Sequence, residues 1–261
     1  MIEIKEKTDC CGCHACYNIC PKNAIEMIED EKGFKYPKIN KEKCIECNLC
    51  IKVCPIINKK VMENNIMAYA CYNKNEEELK HSSSGGMFIL LAKEILKRNG
   101  VVFGAYLDKN YNVQHGYIEN KKDIKIFMGS KYVQSNIGET YRNVKYFLEK
   151  ERYVLYTGTP CQIEGLKTYL GKDYDKLYTQ DIICHGVPSP LVWEKYKEYR
   201  KNMDKNNPIK INFRDKNNGW NDFSMSFIYK NDKYIASHND DLFMNAFLKN
   251  TILRDSCYKC N

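Results

Sequence analysis

The sequence lacks the features that mark membrane, secreted and nucleic-acid-binding proteins. It has no apolar run of about 18 residues, which a membrane-spanning helix needs. Its first residues, MIEIKEKTDCC, contain no apolar stretch typical of a secretory signal. The formal net charge is +8, but the basic residues are scattered rather than grouped in blocks. We therefore expect a cytoplasmic protein without a membrane span that does not bind nucleic acid.

Cysteine, by contrast, is abundant: the chain has 14 among its 261 residues. Cytoplasmic thiols stay reduced, so metal or cluster ligation explains these residues better than disulfides do. A 4Fe-4S core with its four thiolates carries a charge of about −2 when oxidised. Three such sites would therefore offset most of the +8.

One internal repeat organises the N-terminal cysteines. CCGCHACYNICP at 10–21 and CIECNLCIKVCP at 44–55 both contain C-x2-C-x2-C-x3-C-P. This spacing is typical of bacterial 2x 4Fe-4S ferredoxins, in which the fourth cysteine of each run ligates the other cluster. Zinc sites more often use paired C-x2-C units with longer spacers. We call the predicted ligand sets the first quartet (Cys10, Cys13, Cys16, Cys54) and the second quartet (Cys44, Cys47, Cys50, Cys20).

The residues around this repeat predict a small α+β ferredoxin module over 1–62. Between the two cysteine runs, AIEMIEDEKGFKYPKIN reads as two short strands joined by a turn at Gly33. From residue 63 to 261, strands alternate with helices, which predicts an α/β domain with a largely parallel sheet. The predicted strands are MAYACYN, VVFGAYL, VQHGYIE, RYVLYTG, LYTQDIICHG and the pair IKINFRD and FSMSFIYKN; the predicted helices are MFILLAKEILKRNG, 137–151, PCQIEGLKTYLG and SPLVWEKYKEYRKN.

The loop HSSSGGMF joins the first predicted strand of this domain to its first helix. Two glycines allow a tight turn, and amides at a helix N-terminus attract phosphate. Such loops are also common as plain connections. Beside two clusters, however, the pyrophosphate of a flavin is a reasonable ligand, because a flavin joins one-electron to two-electron chemistry. The candidate residues are Ser82, Ser83, Ser84, Gly85 and Gly86.

Four further cysteines form a possible third quartet. Cys161 opens a helix after one predicted strand, and Cys184 ends the next, so both lie where open α/β sheets bind ligands. Either could instead be a buried or redox-active thiol. We set aside Cys11 as non-ligating and Cys71 as a buried residue within a strand. Counting the rest gives the third quartet (Cys161, Cys184, Cys257, Cys260), for which we expect a 4Fe-4S cluster, with zinc as the nearest alternative.

The remaining candidates are weaker. Lys131 and Tyr132 in GSKYVQS lie in a polar loop and are possible contacts for a flavin or an anionic substrate. His185 could donate a proton near a flavin or simply bind loop backbone. Trp193 and Trp220 are expected to serve packing.

As a set, these motifs resemble the coenzyme F-420 hydrogenase/dehydrogenase beta-subunit family. The resemblance rests on the double ferredoxin repeat, SSSGGMF, VVFGA, GSKYVQS, TGTPCQ, ICHGVPSP, FRDK followed by GW, and the terminal CYKC. It implies a flavin and iron-sulfur oxidoreductase with an α/β flavin-binding domain, FAD as cofactor, and the third quartet as ligands of the flavin-proximal cluster. It also implies flavin or substrate contacts at Gly129, Ser130, Lys131, Tyr132, Gln134, Ser135, Thr157, Gly158 and Thr159. Family members commonly continue past the CxxC motif, so a C-terminally truncated chain is expected.

The sequence therefore predicts a relay between a two-electron donor or acceptor at FAD, F-420 or another carrier, and one-electron partners such as a ferredoxin or redox partner protein. A lysine- and asparagine-rich composition suits an anaerobe. The alternatives are a non-catalytic electron-transfer subunit of a larger redox complex and a redox-sensing regulator, and the absence of a basic DNA-reading helix disfavours the latter.

Overall fold

The computed structural model of the chain describes residues 1–59, 67–217 and 219–260. The predicted domain boundary between residues 62 and 63 lies outside these ranges. None of the helices in the described ranges is long and apolar enough to span a membrane.

The N-terminal module folds as its repeat predicts. Strands β1 (Ile25–Glu29) and β2 (Lys35–Ile39) pair antiparallel, and Gly33 takes the positive φ of +77° that their turn requires. Two short helices, α1 (Ala15–Ile19) and α2 (Leu49–Lys52), begin inside the two cysteine runs. The ferredoxin-type arrangement of the two runs therefore has matching secondary structure.

The central domain is built on a four-stranded sheet. Its strands are β3 (Val101–Leu107), β4 (Val113–Ile118), β5 (Val154–Gly158) and β6 (Leu177–Asp181), in the spatial order β4-β3-β5-β6. The β3–β5 and β5–β6 pairs are parallel, as predicted, while β3 and β4 form an antiparallel hairpin. The sheet is therefore mixed, and β5 and β6 are adjacent.

Helices connect these strands. They are α3 (Glu76–Lys80), α4 (Met87–Lys97), α5 (Thr140–Glu149), α6 (Pro160–Leu170) and α7 (Pro190–Asp204), with a 3-10 turn at Lys121–Ile126. Except for α3, each helix was predicted, and α6 and α7 both begin with proline, whose missing N–H costs nothing at that position.

A second sheet follows α7. Strands β7 (Lys210–Asp215), β8 (Ser224–Ile228) and β9 (Lys233–Ser237) form an antiparallel meander, and α8 (Leu242–Leu248) packs on it before a final 3-10 turn at Asp255–Lys259. The β7–β8 pair was predicted, whereas β9 and α8 were not. Trp193 is fully buried against Phe213 and Phe243 in this part, as its packing role requires.

Two sequence-based predictions are wrong. Residues 67–73, MAYACYN, form no strand, since the backbone of this segment bonds the serine-glycine loop through Asn73 N–H to Gly85 O (2.7 Å) rather than a neighbouring strand. Cys71 is accordingly exposed, not buried. Strand β6 also ends at Asp181, three residues before Cys184, because its outer edge has no partner strand among the described residues.

The N-terminal module and the α/β domain share one hydrophobic core. Cys11, Ala15 and Val53 of the module pack in the same cluster as Tyr141 and Leu166 of the domain. Buried apolar contact of this kind holds the two parts in a fixed arrangement.

Candidate functional site: three cysteine quartets and a cationic cleft

Three members of the first quartet, Cys10, Cys16 and Cys54, lie near one another: burial raises the pKa of Cys16, and the charges of Cys10 and Cys54 raise it further. Cys13 is buried in the neighbouring core cluster, beside Cys11 and Gly165. Cys16 and Cys54 are buried, and Cys10 is partly buried. Cysteines from both repeats therefore meet, as the crossed ligation pattern of a two-cluster ferredoxin requires.

All four cysteines of the second quartet line one apolar pocket beside Ala24, Ile25 and Ile39. Two backbone amides already point at sulfur: Ile2 N–H donates to Cys50 Sγ (3.3 Å) and Ala24 N–H to Cys20 Sγ (3.2 Å). Amide hydrogen bonds to cluster sulfurs are a known means of tuning potential. The donor set and its surroundings fit a 4Fe-4S cluster.

Backbone pairing brings the two halves of the third quartet together. Arg254 N–H donates to Val187 O (3.0 Å) and Ser189 N–H to Ile252 O (2.9 Å), around an antiparallel bridge between Pro188 and Leu253. The chain that carries Cys257 and Cys260 thus runs beside the loop that follows Cys184.

The charges of these thiols act on one another. Burial raises the pKa of Cys184 to about 11, and the charges of Cys161, Cys257 and Cys260 add to the shift. The amide of Val187 hydrogen-bonds to the Cys257 thiol and lowers its pKa against the larger effect of burial. Cys161, Cys184, Cys257 and Cys260 come from three distant stretches and lie close enough for their charges to interact, and their joint ligand role stays a prediction.

Cys161 sits in the first turn of α6, and its contact with the Cys11 thiol, together with burial, raises the pKa of Cys161 well above its usual range. Thr159 Oγ lies 3.2 Å from its sulfur, and Gln162 Oε1 accepts from Thr159 N–H (3.0 Å), which closes the helix N-terminus. The TGTPCQ motif thus builds a rigid turn that presents Cys161 at the carboxyl end of β5.

A buried polar network supports this turn. Gln162 Nε2 donates to Ser135 Oγ (2.9 Å), which bonds His115 Nδ1 (2.8 Å), while His115 Nε2 bonds Thr157 O (2.9 Å). Burial lowers the pKa of His115 to about 4, so the ring is neutral at physiological pH. Sequence reasoning missed His115, although a histidine within the otherwise alternating strand VQHGYIE was a visible signal.

The serine-glycine loop covers the N-terminus of α4. Gly86 begins the helix at a φ of +80°, and no side chain caps it. A Cβ at Gly85 would stand 2.8 Å from Cys71 O, so glycine permits the close approach of residues 71–73. Ser82 Oγ donates to Glu78 O (2.7 Å), while Ser83 is partly buried and Ser84 is exposed.

Two cations from the FRDK motif join this loop to GSKYVQS. Lys216 Nζ donates to Ser82 O (2.5 Å) and Arg214 Nη1 to Tyr132 OH (3.3 Å). Both cations face the ring of Trp220, which is 45% exposed. Among the described residues, the buried Nε–H of Arg214 has no acceptor. An orphaned guanidinium donor is suited to an anionic ligand. We call the residues joined here, Ser82–Gly86, Tyr132, Arg214, Lys216 and Trp220, the cationic cleft.

Lys131 lies in the same motif and is partly buried. Its Nζ donates to Met128 O (3.0 Å) and Ile126 O (3.2 Å), and burial lowers its pKa to about 7. Gly129 takes a φ of +79° with open space around its Cα, and Ser130 is partly buried beside it. Gly158 ends β5 next to the Cys161 turn.

Aromatic contacts connect this cleft to the third quartet. The rings of Tyr132 and Phe247 are 5.0 Å apart, and Phe247 meets His185, the neighbour of Cys184, at 5.0 Å. The predicted flavin-side motifs and the predicted cluster ligands thus adjoin one another.

Both parts of the chain match families of known proteins. Residues 9–57 match the family described as 4Fe-4S dicluster domain. Residues 151–261 match the C terminus of the family described as Coenzyme F420 hydrogenase/dehydrogenase, beta subunit.

Two relatives come from Methanocaldococcus jannaschii. An uncharacterized polyferredoxin-like protein is 44% identical over 57 residues, covering 19% of this chain and 34% of that protein. The coenzyme F420-dependent sulfite reductase is 27% identical over 198 residues, covering 72% of this chain and 30% of that protein. The chain thus spans about a third of the length of each.

Among solved structures, a chain of the F420-reducing NiFe hydrogenase complex from Methanosarcina barkeri is 18% identical. The similarity covers 72% of this chain and 63% of that one, with a TM-score of 0.48. Along the chain, a match to a 4Fe-4S dicluster domain is therefore followed by a match to the C-terminal domain of the coenzyme F420 hydrogenase/dehydrogenase beta subunit.

Proposed function

We propose that the chain is an iron-sulfur flavoprotein oxidoreductase. It relays electrons between a two-electron donor or acceptor at FAD and one-electron carriers reached through three 4Fe-4S clusters. The observation that carries the proposal is the line of contacts that runs from the serine-glycine loop through Tyr132 and Phe247 to His185, the neighbour of Cys184.

The third quartet suits a cluster better than a single zinc ion. A zinc ion needs its ligands to converge on one point, and no group of three or more His, Cys, Asp or Glu side chains within the described ranges does so. A 4Fe-4S cluster binds its four thiolates at four separate irons.

The residues of the cleft fit the anionic part of FAD. The free N-terminus of α4 and the cations Arg214, Lys216 and Lys131 would hold its pyrophosphate, with Ser82 to Gly86 as the cradle. Tyr132 and Trp220 would flank the ligand. When bound, the flavin supplies exchange of a hydride with a small molecule and of single electrons with clusters.

The chain's own groups prepare that exchange. The polar network of His115, Ser135 and Gln162 fixes the turn that carries Cys161 beside the cleft. Gly129, Ser130, Gly158, Thr157 and Thr159 would shape the adjoining wall, and Gln134 bonds Cys11 O of the N-terminal module. The arrangement keeps a ligand of the third quartet close to the flavin-side motifs.

Coenzyme F420, a hydride-carrying deazaflavin, is one candidate for the two-electron partner, because one relative is named an F420-dependent sulfite reductase. The one-electron partner would be a ferredoxin or another redox protein, since the dicluster domain carries single electrons. We place this activity in the cytoplasm, where the thiolates remain reduced.

Serine substitution of the third quartet tests the proposal. In anaerobically prepared protein, Cys257→Ser and Cys161→Ser should each lose about four irons per chain, because serine ligates the cluster poorly. Cys71→Ser is the matched control, since Cys71 is exposed and outside the quartets, and it should keep the full iron content.

Flavin quantitation on the same samples separates the two main functions. Bound FAD in the wild-type protein supports the oxidoreductase. Loss of FAD in Arg214→Met but not in Lys125→Met would show that the cleft is the FAD-binding site. An unchanged iron content in Cys161→Ser would contradict the third cluster. Protein that carries iron but takes up no FAD would indicate an electron-transfer subunit instead.

A further inference from the structure

Arg254 is a fully buried arginine three residues before Cys257. Its side chain leaves the α/β domain and enters the N-terminal module. The guanidinium donates from Nε to Cys10 O (2.8 Å), from Nη2 to Lys35 O (3.0 Å) and from Nη1 to Gln134 Oε1 (2.9 Å). One side chain therefore joins a ligand of the first quartet to the segment that carries half of the third.

The positive charge of Arg254 has no negative partner among the residues that the structure describes. All three acceptors are uncharged, and the guanidinium lies over the ring of Tyr36 at 4.2 Å. The adjacent carboxylate, Asp255, bonds Lys32 instead (2.7 Å). A buried charge is costly unless something compensates for it.

Arg254 also bonds to the backbone of two predicted cluster ligands. Its side chain donates to the carbonyl of Cys10 (2.8 Å), and its own carbonyl accepts from Cys257 N–H (2.9 Å). The hydrogen bonds of the Arg254 side chain to the described residues reach none of the second quartet.

A further contact brings the first and third quartets together. The thiol of Cys11, the neighbour of Cys10, lies against the thiols of Cys13 and Cys161. Gln134 Nε2 donates to Cys11 O (3.1 Å) while its Oε1 accepts from Arg254. Arg254 and Gln134, bonded to each other, thus hold the backbone of Cys10 and Cys11 where the first and third quartets adjoin.

We propose that Arg254 is the shared counter-charge of the first and third clusters. This inference rests on the proposed function, because cluster charge is what would compensate the buried guanidinium. A nearby positive charge stabilises the reduced, more negative form of a cluster and so raises its reduction potential. The first and third clusters are therefore held above the potential they would otherwise have, and the second is not. In each transfer between clusters one electron leaves the donor and reduces the acceptor, so Arg254 favours electrons on the pair beside it.

The test is an EPR-monitored redox titration of the anaerobic holoprotein with Arg254→Gln and Arg254→Lys. In Arg254→Gln, two of the three clusters should shift to more negative potential. The expected size is at least a tenfold change in the oxidised-to-reduced ratio at fixed potential, or about 59 mV for one electron. Arg254→Lys retains the charge and should recover most of the shift. The second cluster, assigned by the signal lost in Cys47→Ser, should not move.

Arg142→Gln is the matched control. Arg142 also reaches the N-terminal module, through Asn18 O (2.8 Å) and Tyr17 O (3.2 Å), but it pairs with Glu139 (3.0 Å). Its loss should leave all three potentials in place. Equal shifts at all three clusters, or equal shifts in the Arg142→Gln and Arg254→Gln proteins, would overturn the inference.

A second variant decides the question if Arg254→Gln cannot hold its iron. Gln134→Glu places a carboxylate against Nη1 of Arg254 and so neutralises the charge without removing the side chain. The same two potentials should fall, and unchanged potentials would contradict the proposal. If wild-type protein holds only about eight irons, the third cluster of the proposed function fails, while the shift of the first cluster still tests Arg254.

Discussion

At the scale of single residues, the cleft is defined by cations that bind only uncharged oxygens of the described residues. Lys131, Arg214 and Lys216 donate to backbone carbonyls or to the Tyr132 hydroxyl. Such an arrangement costs some stability in the ligand-free protein, because partly buried positive charges go uncompensated. An arriving anion would offset that cost.

The ionisation of Lys131 makes both stability and anion binding depend on pH. Burial lowers its folded-state pKa to about 7, well below that of an unfolded lysine. Between these two values the unfolded chain binds more protons, so the free energy of unfolding contributed by Lys131 rises with pH. An anionic ligand favours the protonated form, and its binding should therefore weaken as pH rises.

We accordingly predict that FAD affinity falls about tenfold between about pH 6 and about pH 8, on either side of the Lys131 pKa. Flavin fluorescence titration measures this. Lys131→Met should bind FAD weakly with no such pH dependence, whereas Lys125→Met, which removes an exposed lysine nearby, should keep it. A pH dependence that survives in Lys131→Met would contradict the assignment.

Residue identities were unequally visible in the sequence. The repeat spacing indicated the dicluster cysteines, because eight ligands in a fixed pattern are a strong signal. His115 and Arg254 were missed, since one buried polar residue leaves no periodic trace and its partners lie far away in sequence. Cys71 was misjudged because apolar alternation around it resembled a strand that does not form.

At the scale of elements, α6 is the piece that brings the two modules together. Its first turn holds Cys161, and one turn later Gly165 faces the N-terminal module. A Cβ at Gly165 would stand 2.8 Å from Cys13 Cβ and 2.9 Å from Cys13 Sγ. Only glycine therefore lets the helix approach the cysteine loop this closely.

This contact reverses the usual effect of replacing a helix glycine. Gly165→Ala would gain about 1 kcal/mol of helix preference in an exposed helix. Here we predict a net loss of about 1–3 kcal/mol, because the added methyl overpacks the seam. Anaerobic urea denaturation measures the change, and the exposed Lys167→Ala on the same helix should stay within about 0.5 kcal/mol of wild type. A more stable Gly165→Ala protein would show that the contact between α6 and Cys13 is not tightly packed.

Elements with a strong hydrophobic periodicity were predictable from the sequence. Whether the weaker elements form depends on the strands and helices that pack against them. The apolar pattern of α4 and the buried strands β3 and β5 gave clear signals. The strand predicted at 67–73 failed because no described sheet edge pairs with it, and the one ending in IICHG is shorter because β6 is an edge strand. Helix α8 and strand β9 are short and depend on packing around Trp193 and Phe243.

At the scale of the whole molecule, the two modules are joined by packing and by hydrogen bonds. They share a hydrophobic core, and Arg142, Gln134 and Arg254 bond across the boundary. The proposed electron path from the cleft through the third quartet to the first would therefore need no movement of either part. The sequence could not predict this docking, because it depends on contacts between residues more than 100 positions apart, such as Asn18 with Gly138.

Cofactor quantitation shows whether one chain combines three clusters with a flavin. Protein purified and reconstituted anaerobically is assayed for iron, acid-labile sulfide and flavin per chain, with its visible spectrum. We predict about twelve irons, as three 4Fe-4S clusters require, together with one FAD. About eight irons and no flavin would contradict it, leaving only the dicluster domain as a redox centre.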